Sequence, residues 1–222
     1  MSDPGTPFTP GASRRILVVG ATGPTGREIL NHAGEAGLGV RALARNPSAL
    51  DGAGPGVEVV QGDALDAVSL VRAVRGVDAV VSALGTPLVL RTVTLLSEGT
   101  RNLVAAMKEA GVSRLVCITG MGAGDSRGHG GFVYDRLLLP LLLGRIYADK
   151  DRQEAVVSES GLDWVIVRPA RLVNTPGTGR WREIERFSGE RMTTISRADV
   201  ADLVVREVLA PRHHRQVLNL TA

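Results

Sequence analysis

Gly20, Gly23 and Gly26 stand at three-residue intervals, with Thr22, Pro24 and Thr25 between them. A run of this kind can hold an anion. Glycine lets the backbone turn sharply and approach a ligand, and the hydroxyls of Thr22 and Thr25 can donate to it. Further along, Arg45 is followed by Asn46 and Ser48, a guanidinium and two neutral groups suited to a phosphate. Asp63 is a carboxylate able to accept from an amino group. Thr119 and Lys150 offer a hydroxyl and an amine for catalysis. Met121, His129, Arg171 and Trp181 offer apolar, aromatic and cationic contacts for a second ligand.

These residues fall at the junctions of a regular alternation. Ile16–Val19 is apolar, ends at Gly20 and predicts a buried strand. Gly26–Ala36 predicts the first helix. Strands follow at Gly39–Ala44, Val57–Val60, Asp78–Ser82, Arg114–Ile118, Trp164–Val167 and Gln216–Leu220. Helices are predicted at Leu65–Val74, Val93–Ala110, Tyr147–Ser160 and Arg197–Leu209, and a glycine-rich loop at Gly120–Gly131. Continuous Val, Ile and Leu runs argue for parallel strands covered on both faces. Their alternation with helices predicts an α/β, doubly wound parallel sheet, a Rossmann fold in a single domain. The expected strand order is 3-2-1-4-5-6 with a short extra strand.

In such a sheet a ligand sits beyond the carboxyl ends of the strands, where the order reverses. Strand, glycine turn and helix N-terminus then come in the order a dinucleotide pyrophosphate needs. Gly20 makes the turn, Gly23 lets the backbone meet the pyrophosphate, and Gly26 lets the helix pack on the strand. An acid after the second strand would hold an unmodified ribose, but Ala42 to Ser48 contains none and Arg45 stands there instead. That favours a 2′-phosphate, hence NADP(H); the alternative is a solvated arginine opening a loop. Asp63 can accept from the adenine amino group, cap the following helix, or both. Ala64 lies beside it. Ala83, Leu84 and Gly85 follow the fourth strand, small enough for a ring or ribose to lie on, or simply forming a turn.

Composition narrows the field. The chain has 222 residues, 44% of them hydrophobic, which is ample for one core, and a net charge of +3. Its arginines are scattered without basic runs or interleaved aromatics, so nucleic acid is not an expected partner. The expected partners are the cofactor and a small-molecule acceptor, with the chain a monomer or homodimer. Cys117, the one cysteine, lies in an apolar run and reads as a buried, inert thiol, which suits the cytoplasm. Met1–Ser13 reads as a disordered tail ahead of a domain over 14–222, and lacks an apolar signal core. Leu137–Leu143 is apolar but short and broken by Pro140, so no membrane span is expected. That run could wall a pocket, pack in the core or face a second copy. His213 and His214 are adjacent, diverge, and have no partner spacing that marks a metal site.

Several segments carry a family likeness: Gly20 to Gly26, Gly62-Asp63, Leu84-Gly85-Thr86, Ser97 to Lys108, Glu159 to Leu162, and Val167-Arg168-Pro169. With them the chain resembles the atypical short-chain dehydrogenase/reductase superfamily. Within it, the likeness is to the NAD(P)H-binding group that includes flavin reductase/biliverdin IXβ reductase and the NmrA-like proteins. The resemblance implies a Rossmann fold, a nicotinamide cofactor, and contacts to it from Thr119 and Pro169.

Typical members carry Tyr four residues before Lys, and the tyrosine protonates the oxygen formed when hydride attacks a carbonyl. Here Tyr147 and Lys150 are three apart, Tyr134 is too distant, and Thr119 stands where serine would be. A Tyr-Lys carbonyl reductase or a sugar-nucleotide epimerase is therefore disfavoured. A flavin, biliverdin-like or quinone-like acceptor needs less, because position and an apolar floor do most of the work. Thr119 would hydrogen-bond near the nicotinamide, and Lys150 would hold ribose or supply charge, unless it is simply solvated. Arg171 and Arg180 could meet anionic groups of the acceptor. The leading expectation is an NADPH-dependent reductase of such acceptors. The alternative is an NmrA-like redox sensor that binds NADP without turnover.

Overall fold

The computed structural model describes residues 14–87, 92–129, 136–137, 143–187 and 192–222. The expected tail at 1–13, Tyr134 and most of the apolar run at 137–143 lie outside the described residues.

Five strands and four helices alternate at first, except that a short 3-10 turn (Pro47–Leu50) joins β2 to β3: β1 (Arg15–Val19), α1 (Pro24–Glu35), β2 (Gly39–Ala44), β3 (Val57–Gln61), α2 (Ala67–Val74), β4 (Ala79–Ser82), α3 (Leu95–Ala110), β5 (Arg114–Ile118) and α4 (Gly144–Ser158). Then come β6 (Asp163–Pro169), β7 (Arg171–Val173), β8 (Arg182–Ile184), β9 (Thr194–Ser196), α5 (Arg197–Leu209) and β10 (Gln216–Thr221). The main sheet has the order β3-β2-β1-β4-β5-β6-β10-β8. The expected 3-2-1-4-5-6 order is present and extended. β10 joins parallel to β6, and β8 closes the edge antiparallel to β10. β7 and β9 pair separately as a small parallel sheet, which three-residue segments are too short to reveal by periodicity.

The β-branched runs are buried on both faces. One core holds Ile16, Val18 and Val81 of the sheet against Ile29 and Ala33 of α1 and Val200 and Val204 of α5. The other holds Leu17, Val19 and Leu115 against Leu70 of α2, Leu103 and Met107 of α3 and Val157 of α4. α1 and α5 thus share one face of the sheet, and α2, α3 and α4 the other.

Side chains set the helix starts. Pro24 opens α1 because its missing N–H costs nothing in the first turn. α2 begins at Ala67, two residues later than expected, because Asp66 accepts from the Val68 amide. Asp63 instead accepts from Leu65 N at 3.0 Å, so it is not the helix cap. α3 is capped from outside. The buried Asp149 of α4 accepts from Leu96 N at 2.8 Å and from Ser97 Oγ at 2.5 Å.

Candidate active site: a cleft over the carboxyl ends of the strands

A cleft of about 610 Å³ opens beyond the carboxyl ends of β1, β2, β3 and β4. The glycine turn forms one wall, with Gly20, Thr22, Gly23, Pro24, Thr25 and Gly26 all lining it. Arg45, Asp63, Ala64, Ala83, Leu84 and Gly85 line it too, so most expected cofactor contacts converge on one space.

The glycine turn shows which of its residues serve the fold and which the cleft. Gly20 has φ +84°, and a Cβ there would lie 2.4 Å from the Ala83 carbonyl oxygen. A Cβ on Gly26 would lie 2.2 Å from the Gly20 oxygen, so only glycine lets α1 approach β1. Gly23 differs. Its backbone is ordinary, with φ −73°, and a Cβ there would meet only the Gly20 oxygen at 3.4 Å. Nothing in the fold demands glycine at 23; the space its missing side chain leaves belongs to the cleft. Gly23 is also the N-cap of α1 and provides no side-chain hydrogen bond. The first amides of α1 are thus free of a side-chain cap, as an anion site at a helix start requires. The turn therefore fits a dinucleotide pyrophosphate.

Arg45 is exposed where β2 ends on the cleft. Asn46 and Ser48 do not line the cleft; both are exposed, and Ser48 Oγ donates to Asn46 Oδ1 at 2.9 Å. Asp63 is shaped by its own turn, with its amide bonded to Ser69 Oγ at 3.1 Å. Asn102 of α3 donates to the Ala64 carbonyl at 3.2 Å, which ties the helix to that rim.

The candidate catalytic groups sit at the end of β5. Thr119 is buried and its hydroxyl donates to Glu154 Oε1 at 2.6 Å. Glu154 is in turn paired with Arg168, whose Nε lies 3.0 Å from Oε1 and whose NH2 lies 2.6 Å from Oε2. Arg168 also reaches Asp125 and holds that carboxyl below its ordinary range. This buried pair fixes the loop after β5 to β6. Removing one partner of such a pair leaves an uncompensated charge at a cost of about 3–5 kcal/mol.

Lys150 is not a solvated helical lysine. Its amine donates to the Thr119 carbonyl oxygen, and burial pushes its pKa down to about 8. A Cβ on Gly120 would lie 3.2 Å from Lys150 Nζ and 3.3 Å from the Tyr147 hydroxyl. The three-residue spacing therefore still brings amine and phenol to one side of α4, both against Gly120. Residues three apart share a helix face, so the departure from the four-residue register does not separate the two groups.

The other expected pocket residues are dispersed. Met121 is buried in the turn after β5, its amide on the Pro169 carbonyl at 3.0 Å. Neither it nor Pro169 or Thr119 lines the cleft. His129 stacks on Phe187, with ring centroids 4.0 Å apart and planes 11° apart. Arg171 is exposed on β7, while its neighbour Leu172 lines the cleft. Trp181 packs away from the cleft. Its Nε1 donates to Glu183 at 3.0 Å and its ring lies 5.3 Å from the Arg206 guanidinium. Cys117 is buried, and burial pushes its thiol up to about 12. His213 and His214 turn to Glu207 and Asp163, each at 2.8 Å. Thr86, from the Leu84-Gly85-Thr86 stretch, and Leu172 line the cleft as well, and the lining residues that the sequence did not single out include Pro87, Leu95 and Arg197.

A family model described as NAD(P)H-binding matches residues 20–211. The chain belongs to this NAD(P)H-binding family. The match begins at Gly20 and takes in the whole cleft. Among similar proteins, a (4-alkanoyl-5-oxo-2,5-dihydrofuran-3-yl)methyl phosphate reductase of Streptomyces griseus is 34% identical over 88% of this chain. The chain spans 60% of that protein's length. An NAD(P)H azoreductase of Xenophilus azovorans is 30% identical over 93% of this chain and 67% of its own length. The solved structure of ChuY, an anaerobillin reductase from Escherichia coli O157:H7, superposes with a TM-score of 0.79 at 27% identity. That superposition covers 93% of this chain and 96% of ChuY. A short-chain dehydrogenase/reductase of Veillonella parvula in complex with NADP shares the fold, with a TM-score of 0.78 at 16% identity over 95% of each chain.

Proposed function

We propose that this protein is an NADPH-dependent reductase that passes hydride to a flat, conjugated acceptor of the flavin, biliverdin-like or quinone-like type. The observation that carries this reading is the cleft itself. It joins a glycine turn that leaves room over Gly23 to a cation, Arg45, at the end of β2. The reductases among its relatives support it. They are named as a (4-alkanoyl-5-oxo-2,5-dihydrofuran-3-yl)methyl phosphate reductase, an NAD(P)H azoreductase and an anaerobillin reductase.

When bound, reduced NADP supplies a hydride from its nicotinamide. The chain's own residues do the rest. The first amides of α1 would hold the pyrophosphate, Arg45 would meet the 2′-phosphate, and Ala83, Leu84 and Gly85, which line the cleft, would provide a low floor. Lys150 keeps a positive charge beside Gly120 while the acceptor gains negative charge. Thr119 is a positioning residue, because its carbonyl holds the Lys150 amine and its hydroxyl is committed to Glu154. The acceptor takes up one hydride and one proton, the proton coming from solvent or from the Tyr147 hydroxyl.

The test is NADPH oxidation by the purified protein against FMN, riboflavin, biliverdin, simple quinones and an azo dye, with NADH alongside. Saturable turnover of at least one acceptor, faster with NADPH, is the expected result. Tight NADPH binding with no turnover across the panel would overturn the reductase reading and favour a sensor that binds NADP without chemistry.

A further inference from the structure

We propose that Arg197 binds the cofactor's pyrophosphate together with the glycine turn, with Asn174 as the residue that orients it. The inference rests on the dinucleotide reading of the cleft and adds a second wall to it.

Topology brings Arg197 there. α1 descends from the carboxyl edge of the sheet after β1. α5 also descends from that edge, since it leads into β10, which runs parallel to β6. The two helices pack side by side through Ile29 and Ala33 of α1 and Val200 and Val204 of α5. Their N-termini therefore lie together, and Arg197 is the first residue of α5.

Charge points the same way. Among the residues described as lining the cleft, Arg45 and Arg197 are the cations. Arg45 stands at the end of β2, across from Asp63, on the side where an adenosine ribose belongs. The glycine turn contains no cation, and the nearby Arg27 is drawn off to the Ala49 carbonyl. Arg197 is the one left to face a doubly charged pyrophosphate.

The guanidinium is held but not satisfied. Its NH1 donates to Asn174 Oδ1 at 2.5 Å. Its Nε is shielded from solvent and has no hydrogen-bond acceptor among the described residues. Its NH2 makes no hydrogen bond to the described residues, so an oxyanion in the cleft would meet the guanidinium through that group rather than through the shielded Nε. Asn174 follows directly on β7, whose pairing with β9 ends at Val173 opposite Ser196, and the loop beyond it is tied to α5. Asp199 of α5 accepts from Thr178 N and Gly179 N, both at 2.8 Å, and its own amide is capped by Ser196. One side-chain bond, to Asn174, thus holds the guanidinium at the cleft, and holding a contact in place lowers the cost of binding.

Arg197→Gln and Arg45→Gln are compared with the wild type for binding of NADPH, followed by its fluorescence. Binding of adenosine 2′-monophosphate, which carries the 2′-phosphate but no pyrophosphate, is followed by displacement. Arg197→Gln is expected to weaken NADPH roughly ten- to hundredfold and to leave adenosine 2′-monophosphate unchanged. Arg45→Gln should weaken both. Arg197→Lys should recover part of the affinity, and Asn174→Ala should add little loss on top of Arg197→Gln, since it acts through that side chain. Unchanged NADPH affinity in Arg197→Gln would overturn the proposal, including the case in which only the acceptor KM rises. Equal loss for both ligands would overturn it too. A wild type that binds no NADPH would instead sink the dinucleotide reading of the cleft.

Discussion

Arg45 and Lys150 carry the two most specific residue-level expectations. Arg45 is exposed on the cleft rim, in a stretch from Ala42 to Ser48 that offers no carboxylate for a ribose diol. Arg45→Ala is expected to weaken NADPH roughly ten- to hundredfold and NADH little, because hydrogen bonds to charged groups contribute about 1.5–3 kcal/mol. Calorimetric titration with both cofactors checks this, and equal losses would show that Arg45 does not read the 2′-phosphate. Lys150 titrates at about 8, depressed by burial. Its ammonium is present below that pH and lost above it. The second-order rate constant kcat/KM should therefore fall as pH rises through about 8, and Lys150→Met should abolish that inflection. A profile with the same inflection in the variant would assign it to another group. At this scale the glycine turn was legible, since its spacing is local. The direction of the Thr119 hydroxyl was not. It depends on Glu154, on another helix, and on the Arg168 pair that fixes Glu154.

At the scale of elements, the strand–turn–helix unit separates two kinds of glycine. Gly26→Ala would push a methyl to 2.2 Å from the Gly20 oxygen. It is expected to destabilise by about 1–3 kcal/mol through overpacking, measured by denaturant unfolding. Gly23→Ala should change stability by no more than about 0.5 kcal/mol while cutting cofactor affinity strongly, because its methyl enters the cleft rather than the core. Matching stability losses in the two variants would refute the division. The β1–α1–β2 unit was readable because β-branched runs, Pro24 and the glycines all agree on it. The start of α2 was misplaced by the apolar Leu65, which is 52% exposed; Asp66, not Asp63, sets the boundary. β7, β8 and β9 carry no periodic signal and exist because neighbouring backbone edges accept them.

For the molecule as a whole, the sheet order places the switch between β1 and β4, and the cleft opens there. Among the described residues no helix is long and apolar enough to cross a membrane. The far wall of the cleft could not be read from sequence. Leu172 and Arg197 join it only because β7 and α5 return to the carboxyl edge late in the chain. A ligand that binds the folded cleft and not the unfolded chain must raise its stability. NADPH at a hundred times its Kd is expected to add about 2.7 kcal/mol, seen as a rise in Tm of roughly 5–10 °C. NADH at the same concentration should give a smaller shift, and equal shifts would argue against NADP(H) selectivity.

The most direct test of hydride transfer is a single turnover under anaerobic conditions, with protein loaded with NADPH deuterated at the transferring C4 position and mixed with the best acceptor of the panel. The expected result is oxidation in one phase, slowed by the deuterium, with the label recovered in the reduced acceptor or lost from it only by later exchange. NADPH that stays bound and unoxidised beside every acceptor would contradict the account.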